Sequence, residues 1–261
     1  MNDLERYAEF NFRLRQDRKI ADDVPADLPK LDIDTAYQVQ DLLVEKLCKA
    51  RDTEVFGYKI GCTSEGAQKL LSTDGPVFAQ LLRSGKYYSP LTVNADDYMM
   101  IVIEPEFAFE LKSDVPAGEY DANSILEYVD AVIPSIEVVH HHLGGWDRFD
   151  APKTIADNAI HAFWVSGLST ADLAGLDFPS HEVTLYANDV EVASGRGEIA
   201  LGNPLNVLAW LANTLPKYGK QLKAGEIITT GVCMPVYTAK AGEKIRADFG
   251  ELGIVEIIVG S

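Results

Sequence analysis

Glu104 and Glu106 stand two residues apart in IVIEPEFAFEL, residues 101–111, a run that otherwise reads as buried β-strand. Side chains alternate across a strand, so Glu104, Glu106 and Ala108 point one way and Ile103, Pro105, Phe107 and Phe109 the other. The phenylalanine face reads as core. Two carboxylates on one face repel each other and lose hydration, so a fold keeps them together either in water or around something positive. A bound divalent cation is the simplest such partner.

A third carboxylate, Glu137, lies in IPSIEVVHHH, residues 133–142, again among β-branched residues. If it converges with the first two, the set offers hard oxygen ligands suited to Mg2+ or Mn2+, leaving open positions for water and a chelating 2-oxo acid. Lys59, in GYKIGC at 57–62, sits in a short apolar strand between glycines. Such a site lets a ligand or another backbone approach, and a partly buried lysine can act as a base or bind an anion. His140, His141 and His142 are consecutive, so they cannot all face one ion, and they read as a surface or loop cluster. His161 and His181 stand alone and read as packed or solvated.

Two polar stretches complete the inventory, ADNA at 156–159 and SGRGEIALGNPL at 194–205. The second has the character of a loop that exposes backbone N–H groups as it runs into a helix, a setting for carboxylate binding. It lacks the Walker lysine and a βαβ context, which excludes a nucleotide site.

The chain around these residues falls into two parts. Residues 1–55 are rich in helix formers, with Ala36, Val39, Leu42, Leu43 and Leu47 at helical spacing, and read as an N-terminal helical section. From residue 56 to 261 short β-like runs alternate with glycine and proline, interrupted by helical stretches at ANSILEYVDAV and PLNVLAWLANTLPKYG. Asn203 can cap the latter, Pro204 suits its first turn, and Pro216 and Gly219 mark its end. KAGEIITTG and KAGEKIRADF each read as a turn delivering a strand, and LGIVEIIVG as a closing strand. The whole is an α+β chain with a strand-rich domain over 56–261.

Bulk properties narrow the partners. A net charge of −17 offers no footprint for nucleic acid or an anionic membrane. Cys48, Cys62 and Cys233 form no CxxC pair, so neither a disulfide framework nor a zinc site is expected, and a reducing cytoplasm fits. No apolar run is long enough to span a bilayer, and MNDLERYAEFNFRLRQ is not a signal peptide.

In order, GYKIG, IEPE, IPSIEVV, ADNA, SGRG, LGNPL and ITTG resemble the fumarylacetoacetate hydrolase superfamily, within it the branch of 2-oxopent-4-enoate hydratases and 4-oxalocrotonate decarboxylases. The resemblance runs from about Asp34 to the C-terminus. It implies a mixed β-roll with outer helices and subunits that associate as a homo-oligomer. It implies that Glu104, Glu106 and Glu137 bind Mg2+ or Mn2+, and that Lys59 and Asp157 are catalytic. Asn158, Ser194, Gly195, Gly197, Thr230 and Gly231 would shape the substrate pocket.

The activity implied is a lyase of aromatic-compound catabolism that hydrates a 2-hydroxy-2,4-dienoate to a 4-hydroxy-2-oxo acid through a metal-stabilised enolate. The alternative is decarboxylation of a 4-oxalocrotonate-like dicarboxylate. A carbon-carbon bond hydrolase and a non-catalytic 2-oxo-acid-binding scaffold are further readings. The chain departs from the family pattern at Val77, where hydratases carry an acidic residue, at Ala79 in place of glycine, and at Asn203 where histidine is common. Val77 is nearer the decarboxylase pattern, and Asp74 lies close by in sequence.

Overall fold

The computed structural model describes residues 1–261, apart from the side chain of Trp146. Helix α1 (Asp3–Asp17) and helix α2 (Ile33–Arg51) form the N-terminal section. Each opens on a capping box, the Asn2 side chain accepting from Glu5 N–H and the Asp32 side chain from Thr35 N–H, which satisfies donors that a helix start leaves free. Tyr7, Ala8 and Leu14 of α1 and Ala36, Val39, Leu43 and Leu47 of α2 are buried in the same core as the sheets.

The strands are β1 (Val55–Gly61), β2 (Val77–Leu82), β3 (Lys86–Tyr88), β4 (Leu91–Asn94), β5 (Ile101–Leu111), β6 (Val129–Val139) and β7 (His161–Ser166). They continue with β8 (Glu182–Ala187), β9 (Val190–Arg196), β10 (Ile227–Thr229), β11 (Tyr237–Ala239), β12 (Lys244–Asp248) and β13 (Ile254–Gly260). Short helices α3 (Glu65–Leu70), α4 (Ala122–Ile125) and α5 (Ala151–Ala156) and the longer α6 (Pro204–Thr214) lie between them. One mixed sheet has the order β2-β1-β10-β5-β6-β7-β3, with β11 also on β5, and a second has the order β4-β13-β12-β8-β9. This is a mixed α+β architecture with helices outside the sheets. Among the described residues, no helix is long and apolar enough to cross a membrane.

Strand β5 is the spine of the site. It pairs antiparallel with β6 along its length, from Val102 opposite Val139 to Leu111 opposite Val129. Its other edge is shared: β10 pairs with Ala108–Glu110 and β11 with Ile101–Ile103. Between them the irregular segment 230–236 meets β5, with Thr230 N–H donating to Phe107 O and Cys233 N–H to Pro105 O. The ladder is interrupted where Glu104 and Glu106 lie, which brings loop backbone to those carboxylates.

Two local expectations change. The helical reading of ANSILEYVDAV holds only for α4 and a 3-10 turn to Tyr128; β6 begins at Val129, because its apolar residues pair along β5 and bury both faces. The consecutive histidines lie in the loop that follows β6, but not at the surface: His141 and His142 are buried and His140 is half-buried. Helix α6 starts and stops as its punctuation predicts, with the Asn203 side chain accepting from Leu205 N–H and Gly219 at φ +67° ending the following turn.

Candidate active site

Glu104 faces Glu137 directly across the β5–β6 ladder, and Glu106 faces Ser135 two residues on. Like charges opposite each other on one face destabilise a sheet. Yet one carboxylate oxygen from each of Glu104, Glu106 and Glu137 lies within 4.8 Å of the other two. Glu106 and Glu137 are 1% and 0% exposed, and Glu104 keeps part of its surface open to a cavity.

The surrounding protein satisfies only part of this set. Gly231 N–H donates to Glu106 Oε2 at 2.9 Å. Gly231 has φ +84° and a Cβ there would lie 2.2 Å from Thr63 Oγ1, so only glycine lets the backbone reach the carboxylate. Glu137 Oε1 is held by Lys59 Nζ at 2.7 Å and His161 Nδ1 at 2.8 Å. Glu106 Oε1 and Glu137 Oε2 are buried without a hydrogen-bond partner among the described residues. Buried unpaired carboxylate oxygens are costly, and two of them directed into one cluster of hard oxygen donors suit a divalent cation such as magnesium or manganese. The residues fit such an ion.

The electrostatics follow from burial. Desolvation pushes Glu104 up to about 7, with Glu137 adding to the rise and Lys59 opposing it. Desolvation also lifts Glu106 well above the ordinary carboxylate value, reinforced by Glu137 and Glu104. Glu137 is equally buried, but Lys59 and His161 outweigh the desolvation and hold it below its usual value. Lys59, 3% exposed, is raised despite its burial because Glu137 and Glu104 stabilise the ammonium. Its Nζ also donates to Ala159 O at 3.0 Å.

The cavity beside this cluster has a volume of about 530 Å3. Lys59 and Glu104 are its charged lining groups, and Gly231 contributes its backbone. Away from them the wall is mostly apolar, with Leu70, Leu71, Val77, Val102, Val139 and Val236, and carries the hydroxyl residues Thr63, Ser64, Thr154 and Thr238. Asp74 is exposed and does not line it.

Other residues singled out from sequence fall elsewhere. Asp157 lies outside the cavity lining, buried in an ion pair with Arg15 (2.7 Å to Nε) and a contact with His142 Nδ1 (3.1 Å). Burial alone would raise its carboxyl, but Arg15 and His142 draw it down to about 2. Asn158 Oδ1 accepts from Gln80 N–H and its Nδ2 donates to Gln80 O, both at 2.9 Å, so its amide ties the 157–161 segment to β2. Ser194 is exposed on the edge strand β9. Gly195 packs against the 233–234 backbone, where a Cβ would lie 2.1 Å from Cys233 O, and Gly197 is pressed against Phe178 O. Thr230 is buried with its hydroxyl donating to Phe107 O at 2.8 Å. None of these five positions, nor Asp157, is among the residues that line the cavity.

His161, which by itself reads as packed or solvated, is buried against the carboxylate cluster. Nothing in its sequence neighbourhood marks it, since its partner Glu137 lies on another strand. His181, by contrast, packs on Phe107 and bonds Phe249 O at 2.7 Å.

Residues 87–259 match the family described as fumarylacetoacetate (FAA) hydrolase C-terminal. The chain is 34% identical over 229 residues to a 2-keto-4-pentenoate hydratase of Burkholderia vietnamiensis, covering 87% of this chain and 86% of the relative. It is 32% identical over 231 residues to a 2-hydroxyhexa-2,4-dienoate hydratase of Comamonas testosteroni, covering 88% and 87%. In structure it is similar to a 4-oxalocrotonate decarboxylase from Pseudomonas putida G7 complexed with magnesium and adipate, with TM-score 0.92, 25% identity and coverage of 98% and 97%.

Proposed function

This chain belongs to the fumarylacetoacetate hydrolase family, and from that premise we propose that it is a divalent-metal-dependent lyase that hydrates a 2-hydroxy-2,4-dienoate to a 4-hydroxy-2-oxo acid. The observation that carries the reading is the juxtaposition of three converging carboxylates and one buried lysine beside a cavity whose other lining residues are uncharged and mostly apolar. The names of the hydratases to which the chain is similar support the same reaction. The division into a helical section, 1–55, and a catalytic domain, 56–261, belongs to the proposal, as do a cytoplasmic setting, assembly with copies of itself and a place in aromatic-compound catabolism.

Glu104, Glu106 and Glu137 would hold the cation, which supplies positive charge where the substrate's carboxylate and 2-oxygen gather negative charge. Lys59 is the proton carrier. Two of its three N–H groups are taken by Glu137 and Ala159, which leaves one for the substrate. As an ammonium it gives a proton to the terminal carbon of the dienoate, and as the resulting amine it takes up the proton of the 2-hydroxyl, yielding a conjugated 2-oxo-3-enoate. Water then adds at C4, with its second proton delivered to C3. The apolar wall receives the hydrocarbon tail and leaves a second carboxylate at that end without a cationic partner.

A second reading is decarboxylation of a 4-oxalocrotonate-like dicarboxylate. Val77 in the lining favours it, because no water need be oriented there. A proton NMR time course with magnesium and 2-hydroxypenta-2,4-dienoate in deuterated water separates the two. Formation of 4-hydroxy-2-oxopentanoate is expected. Deuterium uptake at the terminal carbon without hydration would turn the assignment to the decarboxylase.

A further inference from the structure

A second cavity, of about 240 Å3, shares no lining residue with the first. It lies where the ends of α1 and α2 approach the segment after β6 and the start of β7. Three guanidinium groups line it, from Arg15, Arg18 and Arg51, against one carboxylate, Asp97. On a chain of net charge −17 such a local excess of cations is exceptional.

The three arginines are not equally engaged. Arg18 pairs with Asp97 at 2.8 Å. Arg15, whose side chain is 5% exposed, donates through Nε to Asp157 Oδ1, through Nη2 to Asp157 O and through Nη1 to His161 O. A guanidinium has five N–H donors, so two on Arg15 remain outside these bonds. Arg51, exposed at the end of α2, forms no ion pair with a carboxylate among the described residues and lines the recess together with Arg15, Tyr87 and Tyr98. Two like charges beside one another in a recess are stabilised by an anion between them. His140 lines the same cavity and buries its Nδ1 without a hydrogen-bond partner among the described residues. Tyr87 and Tyr98 pack on Phe163 at 5.8 and 5.0 Å and give the recess flat walls.

We propose that this cavity binds a small dianion, inorganic phosphate or a short dicarboxylate, between Arg51 and Arg15. Its volume lies below the ~300–1,000 Å3 of pockets that enclose drug-sized ligands, which limits the ligand to metabolite size. Planar guanidinium forks suit both phosphate and carboxylate oxygens.

The site is joined to the first cavity through Arg15. Between its two anchors, Asp157 and His161, the residues Asn158, Ala159 and Ile160 take φ values of +48°, +44° and +53°. Three successive non-glycine residues in the left-handed region persist only where their surroundings hold them. Ala159 O in that turn accepts from Lys59, and His161 Nδ1 contacts Glu137. An anion that steadies Arg15 therefore steadies the backbone that positions Lys59.

Calorimetric titration of phosphate and, separately, of succinate into the full chain at constant magnesium tests the site. At least one anion binds the unaltered protein with one site per chain, Arg51→Gln weakens it at least tenfold, and Glu104→Gln leaves it unchanged. Which anion binds distinguishes phosphate from dicarboxylate. The proposal is overturned if neither binds at millimolar concentration, if Arg51→Gln binds as the unaltered protein does, or if Glu104→Gln removes binding. Amide exchange over residues 157–161 slows with the bound anion, and unchanged exchange there would sink the coupling to Lys59.

Discussion

Lys59 Nζ and Glu137 Oε1 stand 2.7 Å apart, both buried, and Glu137 in turn faces Glu104 across the β5–β6 ladder. The lysine is at once the counter-charge of the carboxylate cluster and a cation that lines the cavity. Removing one partner of a buried pair strands the other, so Lys59→Met is expected to cost ~3–5 kcal/mol of stability. Turnover should fall by about 10^2–10^4, the range for loss of a positioned proton carrier. Thermal unfolding and the NMR rate assay check both, and a variant that keeps full turnover would remove Lys59 from the chemistry.

Metal and proton compete for the same oxygens. Glu104 is raised to about 7 and Glu106 well above its ordinary value, chiefly by burial. A carboxyl whose pKa rises on folding stabilises the folded state at low pH, and that contribution is lost as pH climbs from the ordinary carboxylate value through the folded one. In metal-free protein the stability contributed by Glu104 therefore declines between about pH 4.3 and pH 7, and Glu106, raised in the same direction, adds to the decline. Magnesium takes over from the protons, so its stabilising effect should be larger at pH 8 than at pH 5.5, with protons released on binding. Melting curves with magnesium and with a chelator at both pH values decide it; equal shifts would argue against metal binding at these carboxylates.

Asn158 bonds both backbone groups of Gln80 from within the left-handed turn. Asn158→Ala leaves those groups unsatisfied at ~1–3 kcal/mol each way the segment fails to relax. The expected outcome is a lower melting temperature with KM of the folded enzyme unchanged. A raised KM at unchanged stability would instead make Asn158 a substrate contact.

The apolar wall of Leu70, Leu71, Val77 and Val236 predicts a preference for a longer hydrocarbon tail. Burying one further methylene contributes ~0.8 kcal/mol, about fourfold in affinity. 2-Hydroxyhexa-2,4-dienoate should accordingly show a lower KM than the five-carbon dienoate, and both should exceed 4-oxalocrotonate in kcat/KM. Faster consumption of the dicarboxylate would favour the decarboxylase reading.

His161 is a positioning residue in this scheme, fixing the Glu137 carboxylate through Nδ1. His161→Phe keeps the ring volume and removes that bond. Its signature is weakened magnesium affinity by calorimetry while the fold is retained, and unaltered affinity would assign His161 to packing alone.

Features that repeat with a short period or act over a few residues were legible in the sequence. Alternation along IVIEPEFAFEL put Glu104 and Glu106 on one face, and Asn203, Pro204 and Gly219 bounded α6, because strand pleat and helix capping are local geometry. Which polar residues meet depends on how distant segments pack. Asp157 and Asn158 are chain neighbours in ADNA, yet one is drawn to Arg15, 142 positions away, and the other to Gln80, 78 positions away. The left-handed turn that begins at Asn158 presents Ala159 O to Lys59. The approach of His161 to Glu137 likewise depends on β7 lying beside β6, a matter of strand order that no local pattern encodes.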